Sequence, residues 1–254
     1  MGKVIAIANQ KGGVGKTTTS VNLSACLGAQ GKKVLVIDID PQGNTSSGLG
    51  VDPRQVEKSI YDCVINDMPL EEATTQLKFK NLWLCPANID LAGAELELVG
   101  KANREYCLKE AISKVKDKYD FIIIDCPPSL GLITLNSFAA ADSILVPIQC
   151  EYYALEGLSQ LTGTIKIIKK TINPALQLEG VLLTMFDART NLSIQVVEEV
   201  KKYFGEKVYS SVIPRNVRLS EAPSFGLPII EYDKHSKGAE SYTLLAKEVI
   251  RNNR

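Results

Sequence analysis

The sequence predicts an α/β fold in which a mostly parallel, twisted sheet is covered by helices on both faces. Short apolar runs recur along the chain, at residues 4–8, 34–37, 82–85, 121–124, 144–148, 181–185 and 208–213. Helix-like stretches separate most of them, at residues 16–29, 104–117, 151–170 and 191–204. Strands that are apolar at consecutive positions, with helices between them, are typical of a parallel sheet that is buried on both faces.

The bulk composition fits one large domain spanning residues 1–254. Apolar residues make up 45% of the chain, which supplies a sizeable core, and no linker-like segment interrupts it. The 29 basic and 29 acidic residues balance, so any contact with nucleic acid must come from a local patch. Residues 201–254 hold a local basic excess, although composition alone favours an ordinary solvated surface there.

Cysteine usage and hydropathy predict a reduced, cytoplasmic compartment. The six cysteines are at least nineteen residues apart and form no C-x-x-C pair; they are Cys26, Cys63, Cys85, Cys107, Cys126 and Cys150. Cys26 and Cys126 lie in apolar contexts, which favours a place in the core. The first apolar run is too short for a secretion signal, and no run approaches membrane-spanning length.

A glycine-rich loop follows the first predicted strand. Residues 10–18 read Gln-Lys-Gly-Gly-Val-Gly-Lys-Thr-Thr. Glycines let backbone N–H groups turn inward around phosphate oxygens, and the following helix presents its positive end to them. We therefore expect nucleotide binding by Lys11, Gly12, Gly13, Val14, Gly15, Lys16, Thr17 and Thr18. Lys16 should contact the β- and γ-phosphates, and the Thr17 hydroxyl should bind Mg²⁺.

The loop departs from the strict G-x-x-x-x-G-K-[ST] pattern at its first position. Gln10 stands where that pattern has glycine, and Lys11 adds a second cation. A flexible turn is the plain alternative for a Gly-Gly-x-Gly segment. The strand before it, the correctly spaced Lys-Thr pair and the helical apolar pattern after it favour a nucleotide site instead. The predicted fold is therefore a single-domain P-loop NTPase.

Two further apolar strands end in carboxylates. Residues 34–41 place Asp38 and Asp40 one residue apart, and strand alternation would point both to one face. Residues 121–128 carry Asp125 at the end of the other strand, in the form of an element that reaches Mg²⁺ through water. An Asp at a strand end is often only a helix cap. Next to a phosphate loop, however, these acids favour hydrolysis of a nucleoside triphosphate.

Parallel sheets bind ligands at the carboxyl ends of their strands. The glycine-rich loop and the acids should gather at that edge, together with residues 187–189. We predict a metal site made by Thr17, Asp38 and Asp125. The base is expected to be adenine, because residues 184–187 read Thr-Met-Phe-Asp in place of the Asn-Lys-x-Asp of a guanine site.

The sequence resembles the deviant Walker A family of P-loop ATPases and, within it, the ParA/Soj chromosome and plasmid partition ATPases. The resemblance covers nearly the whole chain. It rests on five blocks, residues 11–18, 38–44, 125–129, 149–157 and 214–223. The last two read Gln-Cys-Glu-Tyr-Tyr-Ala-Leu-Glu-Gly and Pro-Arg-Asn-Val-Arg-Leu-Ser-Glu-Ala-Pro, and they are the more discriminating.

The resemblance implies how the nucleotide site works. Members form a nucleotide-sandwich homodimer with ATP and Mg²⁺, in which Lys11 reaches the phosphates bound by the other subunit and Asp40 orients the attacking water. Catalysis is therefore assigned to Lys11, Lys16 and Asp40. Adenine contacts are expected from Pro214, Arg215 and Asn216.

The resemblance also implies partners. The dimer, but not the monomer, binds double-stranded DNA without sequence preference, and a ParB/Spo0J-type centromere-binding protein stimulates hydrolysis and release. The DNA-facing cations would be Arg189 and Arg218, with Lys234 and Lys237 as weaker candidates. A patch split between two subunits gains enough phosphate contacts only when ATP joins them. We expect a nucleoid-associated protein without an N-terminal helix-turn-helix, because the phosphate loop begins about ten residues in.

Three other functions and a simpler role for one arginine stay open. A MinD-like membrane-cycling ATPase shares the loop but ends in an amphipathic membrane-binding helix, whereas residues 242–250 resemble a helix that packs on the core. An iron-protein-like reductase needs two cysteines per chain near a dimer axis, yet Cys126 precedes Pro127-Pro128 rather than a Gly-rich loop. A nucleotide-gated binding module would bind without turnover. Arg218 could also only pair with Glu221, three residues along.

Overall fold

A seven-stranded sheet forms the centre of the computed structural model, which describes residues 2–151 and 154–253, with only the backbone of residues 154–161. Its strands are β1 (Lys3–Ile7), β2 (Val34–Asp38), β3 (Thr75–Gln76), β4 (Leu82–Cys85), β5 (Phe121–Asp125), β6 (Ser143–Gln149) and β7 (Gln177–Thr184). They lie in the order β3-β4-β2-β5-β1-β6-β7, and every neighbouring pair is parallel except β3 with β4. The predicted mostly parallel sheet is confirmed. Strand β3 was not predicted, because two residues carry no strand periodicity.

Each predicted helical stretch corresponds to a helix in the structure, which also contains helices that were not predicted. They are α1 (Lys16–Ala29), α2 (Asn44–Gly48), α3 (Ile60–Ile65), α4 (Ala94–Leu98), α5 (Cys107–Ser113), α6 (Leu132–Ala140), α7 (Ala154–Thr171), α8 (Asn191–Phe204), α9 (Val217–Glu221), α10 (Ile229–Tyr232) and α11 (Lys237–Asn252). Helices α1 and α8 confirm the predictions at both ends. Helix α7 confirms the one predicted at residues 151–170, of which Tyr152 and Tyr153 lie outside the described residues. Within the described part of the chain, no helix combines the length and the apolar character needed to cross a membrane.

The helix predicted at residues 104–117 is shorter in the structure, where it corresponds to α5. Asn136 of α6 explains where it starts. Its side chain accepts a hydrogen bond from the Leu108 N–H at 3.1 Å and donates to the Arg104 carbonyl oxygen at 2.7 Å. These bonds satisfy a backbone N–H of the first turn and hold the preceding segment outside the helix. At the other end, the chain tightens into a 3₁₀ turn at Lys116–Lys118.

The apolar run at residues 208–213 is not a strand, contrary to the prediction. It makes one isolated bridge to β7. The backbone N–H groups of Ser210 and Ser211 instead donate to the carboxylate of Glu248 on α11, at 2.8 and 3.0 Å. The run stays beside β7, because the N–H groups of Tyr209 and Ile213 donate to the Val181 and Leu183 carbonyl oxygens at 3.0 and 2.9 Å. The Ser211 N–H, which lies between them and would bond to β7 in a parallel ladder, donates to Glu248 instead, so no continuous strand forms.

Alternating strand residues face two apolar cores, one on each side of the sheet. On one side, Ile5 and Ile7 of β1 belong to a cluster with residues of α1 and α11. On the other side, Val4 and Ala6 belong to a cluster with residues of α3, α5, α6, α7 and α8. Helices therefore cover both faces, as the sequence predicts.

The last helix packs on the core, as predicted for residues 242–250. Tyr242, Leu245 and Val249 of α11 are buried, and this helix lies against α1. Its apolar face is therefore covered by the protein itself.

The cysteines are free thiols, and most of them are buried. Cys26 and Cys126 lie in the core, as predicted. Burial raises the pKa of both thiols to about 12. They therefore stay protonated at neutral pH, which disfavours a role as metal ligands, because a metal binds the thiolate.

Candidate functional site

The loop between β1 and α1 has the shape of a phosphate cradle. Gly13 and Gly15 take φ angles of 73° and 89°, a left-handed conformation that suits glycine. A Cβ atom added at Gly12 or Gly13 would meet nothing within 4 Å, so the loop is open on that side. Gly15 is also the N-cap of α1, where the N–H groups of the first turn lack intrahelical acceptors. An anion can be bound at such a helix end.

Lys16 lies inside this loop and is only 7% exposed. Its Nζ donates to the carbonyl oxygen of Lys11 at 3.0 Å. Burial lowers the pKa of Lys16, and the nearby carboxylates of Asp125 and Asp40 oppose that shift. An ammonium has three N–H donors, and this carbonyl accepts from one of them. The others can bind phosphate oxygens.

Asp125 ends β5 beside the loop. Its carboxylate accepts hydrogen bonds from three hydroxyl groups, those of Thr17 at 2.9 Å, Ser20 at 2.8 Å and Thr45 at 2.7 Å. Burial raises the pKa of Asp125, and the three hydroxyl bonds act in the opposite direction. Thr17 and Asp125, both predicted at the metal site, are thus in direct contact.

Asp38 ends β2 and is the register partner of Asp125 on the adjacent parallel strand. Its carboxylate is buried and accepts from the N–H and the hydroxyl of Ser46, both at 2.7 Å. Burial, and then the neighbouring Asp125 carboxylate, raises the pKa of Asp38 to about 7. Two adjacent buried carboxylates favour a proton or a cation between them.

Asp40 lies beyond the strand, because β2 ends at Asp38. Strand alternation therefore does not set the direction of its side chain, contrary to the argument from sequence. The Asp40 N–H donates to Asp38 Oδ1 at 3.3 Å, and Asp40 Oδ1 accepts from the Gln42 N–H at 2.9 Å. The Asp40 side chain is partly exposed. It lies close enough to Lys16 that its charge opposes the lowering of the Lys16 pKa by burial. Asp40 thus lies near the mouth of the loop.

The oxygen atoms gathered here fit Mg²⁺. Thr17, Asp38 and Asp125 offer hydroxyl and carboxylate oxygens, which hard cations prefer. Within the described residues, no group of three or more His, Cys, Asp or Glu side chains forms a metal site by itself. Mg²⁺ usually binds through one or two carboxylates and completes its shell with water and phosphate oxygens. These few oxygen ligands beside a phosphate loop are therefore a suitable partial coordination shell for Mg²⁺.

A cavity of about 510 Å³ opens beside the phosphate loop. It is lined by Gly15 on one side and by residues 213–217 on another. The Phe186 N–H donates to the Ile213 carbonyl at 3.1 Å, and the Arg215 N–H donates to the Phe186 carbonyl at 3.0 Å. These bonds join two chain segments into one wall. The predicted adenine residues Pro214, Arg215 and Asn216 all line this cavity.

A larger cavity, of about 750 Å³, lies at the amino ends of β1 and β5. Lys3, Lys33 and Phe121 are among its lining residues, and none of the predicted site residues lines it. Volume alone would therefore misplace the nucleotide site. The open loop, the buried lysine and the carboxylates lie at the opposite edge of the sheet, and they favour that edge as the nucleotide site.

The two arginines predicted to contact DNA are each paired with carboxylates. Arg189 is exposed, and its Nε and Nη2 donate to the two oxygens of Asp187 at 2.9 and 2.7 Å. Arg218 is also exposed; its Nη1 donates to Glu221 at 2.9 Å, and its Nε lies 3.5 Å from Asp233. The Arg218–Glu221 pair considered from sequence is therefore present.

The remaining predicted cations have weaker partners or none. Lys234 and Lys237 are exposed and form no ion pair within the described part of the chain. The ammonium of Lys11 lies 3.8 Å from Glu151, which is itself 3.8 Å from Arg215. The structure thus brings the predicted nucleotide and metal residues to one edge of the sheet, where a partly exposed ion pair with Glu151 holds the ammonium of Lys11.

The sequence argument missed the groups that hold the two buried acids. Ser20 and Thr45 bind Asp125, and Ser46 binds Asp38. A signal was available, because Thr45 and Ser46 directly follow the block at residues 38–44 and Ser20 lies one helical turn after Lys16.

Comparison with known proteins agrees with this geometry. A family model described as AAA domain matches residues 2–178. The sporulation initiation inhibitor protein Soj of Bacillus subtilis is 62% identical over 252 residues, which cover 99% of this chain and 100% of Soj. The chromosome partitioning protein ParA of Myxococcus xanthus is 55% identical, over 99% of this chain and 89% of ParA. A solved structure of cobyrinic acid a,c-diamide synthase from Mycobacterium smegmatis, with bound ATP analog and magnesium, is 40% identical with a TM-score of 0.87, and the match covers 99% of this chain and 95% of that one.

Proposed function

The chain belongs to the Soj/ParA family of P-loop ATPases, and we propose that it is a DNA-segregation ATPase that cycles between two states. With ATP, two copies form a homodimer that binds double-stranded DNA without sequence preference. Hydrolysis, stimulated by a ParB/Spo0J-type centromere-binding protein, separates the copies and releases the DNA. Residues 1–254 act as one ATPase domain, in the cytoplasm and on the nucleoid.

Partition is favoured over amide synthesis by the degree of similarity. The identities of 62% to Soj and 55% to ParA exceed the 40% identity to the diamide synthase, at the same coverage of this chain. A shared nucleotide site on a shared fold does not by itself transfer a reaction. The function therefore follows the more similar relatives.

ATP with Mg²⁺ is the ligand of the loop after β1. Lys16 would contact the phosphates, and Thr17, Asp38 and Asp125 would hold the metal. A Mg²⁺ ion held there would supply positive charge that offsets the charge of the phosphates. The observation that carries this assignment is the contact between Thr17 and Asp125, beside a buried Lys16 in an open glycine-rich loop.

Asp40 and Lys11 complete the catalytic set. The partly exposed carboxylate of Asp40 orients the water that attacks the γ-phosphate. Lys11 leaves Glu151 and reaches the phosphates bound by the second copy. An exposed ion pair such as Lys11–Glu151 is worth about 0–1 kcal/mol. A charge-assisted bond to phosphate is stronger, so the exchange is favourable.

Nucleotide and DNA contacts share two segments of chain. One wall of the base cavity is formed where residues 184–187 and 213–217 meet. Arg189 and Arg218 follow these two segments closely. A base bound in the cavity therefore contacts the same two chain segments that lead to the DNA-facing cations. Joining two copies doubles the number of those cations, so the phosphate contacts become sufficient only in the dimer.

A membrane-cycling ATPase is the main rival. It needs an amphipathic helix that is free to bind lipid, whereas α11 buries Tyr242, Leu245 and Val249 in the core. Flotation with anionic lipid vesicles in ATP separates the two functions. We expect the chain to remain in the lipid-free fraction, and ATP-dependent flotation would favour the rival.

Binding to unrelated DNA duplexes in ATP, in ADP and without nucleotide tests the proposal. Only ATP should give retention, similar for all duplexes and falling steeply with salt, because phosphate contacts carry no sequence information. Phosphate release with and without DNA and a ParB-type protein of the same genome distinguishes an ATPase from a binding module without turnover. Equal retention in all nucleotide states, or none in ATP, would contradict the proposal.

A further inference from the structure

Both arginines assigned to DNA are already bound to carboxylates of their own chain. Arg189 pairs with Asp187, and Arg218 pairs with Glu221 and Asp233. We propose that these carboxylates compete with DNA phosphates for the arginines and thereby limit the DNA affinity of each copy. The proposal rests on the DNA-binding role proposed above and adds the groups that regulate it.

Asp187 holds Arg189 in the way that a phosphate would. The Nε and Nη2 atoms donate to Oδ1 and Oδ2 at 2.9 and 2.7 Å, a two-point contact of the kind that arginine makes with phosphate. These bonds hold the pKa of Asp187 well below its usual range, so the carboxylate is charged at neutral pH. A phosphate must therefore displace Asp187 or bind the free edge of the guanidinium beside a negative charge.

Arg218 lies between two carboxylates. Its Nη1 donates to Glu221 Oε2 at 2.9 Å, and its Nε lies 3.5 Å from Asp233 Oδ2. The Tyr232 hydroxyl donates to the same Glu221 oxygen at 3.1 Å and so fixes its position. Both carboxylates offset the charge of the guanidinium, so a phosphate that approaches Arg218 is attracted less strongly than by a free arginine.

The free energy of the competition is small at each arginine, and it doubles in a homodimer because each ion pair occurs twice. An exposed ion pair changes an equilibrium by about 1.5- to 5-fold. Since a dimer carries each pair twice, removing one carboxylate per chain should strengthen DNA binding by about 2- to 25-fold, with roughly fivefold as the central expectation. Such a limit lowers the DNA affinity of a single copy and of two joined copies, and it makes release easier.

Asp187→Asn and Glu221→Gln remove the competing charge and keep the shape of the side chain. The chain offers a matched control in Asp52, which holds Arg54 at the same sequence spacing. There the Nε and Nη2 of Arg54 donate to the two Asp52 oxygens at 2.9 and 2.8 Å. Arg54 is not among the assigned DNA cations, so Asp52→Asn changes the net charge and breaks an equivalent pair elsewhere.

DNA affinity of the full-length variants is measured in ATP at several salt concentrations, with ATP-dependent dimerisation measured on the same preparations. Asp187→Asn and Glu221→Gln should each bind about fivefold more tightly, and Asp52→Asn should match the wild type. Unchanged or weaker binding in the first two, with normal dimerisation, would overturn the inference, because the carboxylates would then only orient the arginines. Equal tightening in Asp52→Asn would overturn it too, since net charge alone would explain the effect.

The failure of this inference can be told apart from failure of the proposed function. Arg189→Glu should lose DNA while still forming the dimer in ATP. If it does, and Asp187→Asn binds DNA like the wild type, only the competition is wrong. If neither the wild type nor any variant retains DNA in ATP, the DNA-binding role and the inference fall together.

Discussion

Lys16 carries a charge in a place where charge is costly. A buried ammonium needs acceptors, and its direct one is the carbonyl oxygen of Lys11. The nearby carboxylates of Asp125 and Asp40 favour the charged form, but burial outweighs them and lowers the pKa. Phosphate oxygens would supply the missing acceptors. The buried ammonium thus favours an anionic ligand.

Lys16→Ala should abolish nucleotide binding, because it removes the cation that contacts both the β- and the γ-phosphate. Hydrogen bonds to charged groups are worth about 1.5–3 kcal/mol each, so losing both contacts should lower the affinity for ATP by at least about 100-fold. Equilibrium binding of a fluorescent ATP analogue measures this. Lys11→Ala is the control and should bind the analogue normally. If Lys16→Ala bound the analogue with unchanged affinity, Lys16 would not be part of the nucleotide site.

Asp40→Ala should separate binding from turnover. The substitution leaves Lys16, Thr17 and Asp125 in place and removes only the carboxylate that orients water. ATP should therefore bind with near-normal affinity, while phosphate release falls by about 100-fold or more, the usual scale for a positioned acid or base. Release at the wild-type rate would transfer this role to another carboxylate.

Motif spacing predicts the loop and its acids, but it does not predict what holds those acids in place. Lys16, Thr17 and Asp125 belong to local patterns of strand, turn and helix, which can be recognised in a sequence. Thr45 binds Asp125 across 80 positions of chain, so its role depends on how the strands are arranged. The ion pair of Arg189 with Asp187 was likewise not predicted, although the two residues lie close together in sequence.

Among the helices and strands, apolar patterning predicts the ones that bury an entire face. Helices α1 and α8 and six of the sheet's strands show continuous or periodic apolar signals, and the structure contains them near the expected bounds. The errors occur where one distant side chain decides the backbone. Glu248 takes the N–H groups of residues 210 and 211, and Asn136 sets the start of α5. No local pattern contains that information.

Helix α11 offers two neighbouring leucines that test its packing. Leu245 is fully buried, whereas Leu244 is about half exposed. Leu245→Ala should reduce the free energy of unfolding by about 2–5 kcal/mol, because it leaves a cavity in the core between α11, α1 and the sheet. Leu244→Ala should cost far less. Chemical denaturation measures both variants, and equal effects would mean that α11 does not pack as described.

At the scale of the whole molecule, the parallel sheet explains why distant residues form one site. The strand order places β2, β5 and β1 side by side, so Asp38, Asp125 and the phosphate loop meet at one edge. The base cavity opens at the same edge, and the segments that line it lead to Arg189 and Arg218. The residues proposed to bind the nucleotide and those proposed to bind DNA are thus neighbours on one surface, which a second copy would complete.

In the proposed cycle, ATP joins two copies, and only the joined pair holds DNA. Sedimentation velocity of Asp40→Ala and Lys11→Ala, each with ATP, Mg²⁺ and a labelled duplex, tests it most directly. Asp40→Ala should sediment as a dimer that carries DNA, because ATP is bound and not hydrolysed. Lys11→Ala should sediment as a monomer without DNA, although it binds ATP. A monomer that carries DNA in ATP would contradict the claim.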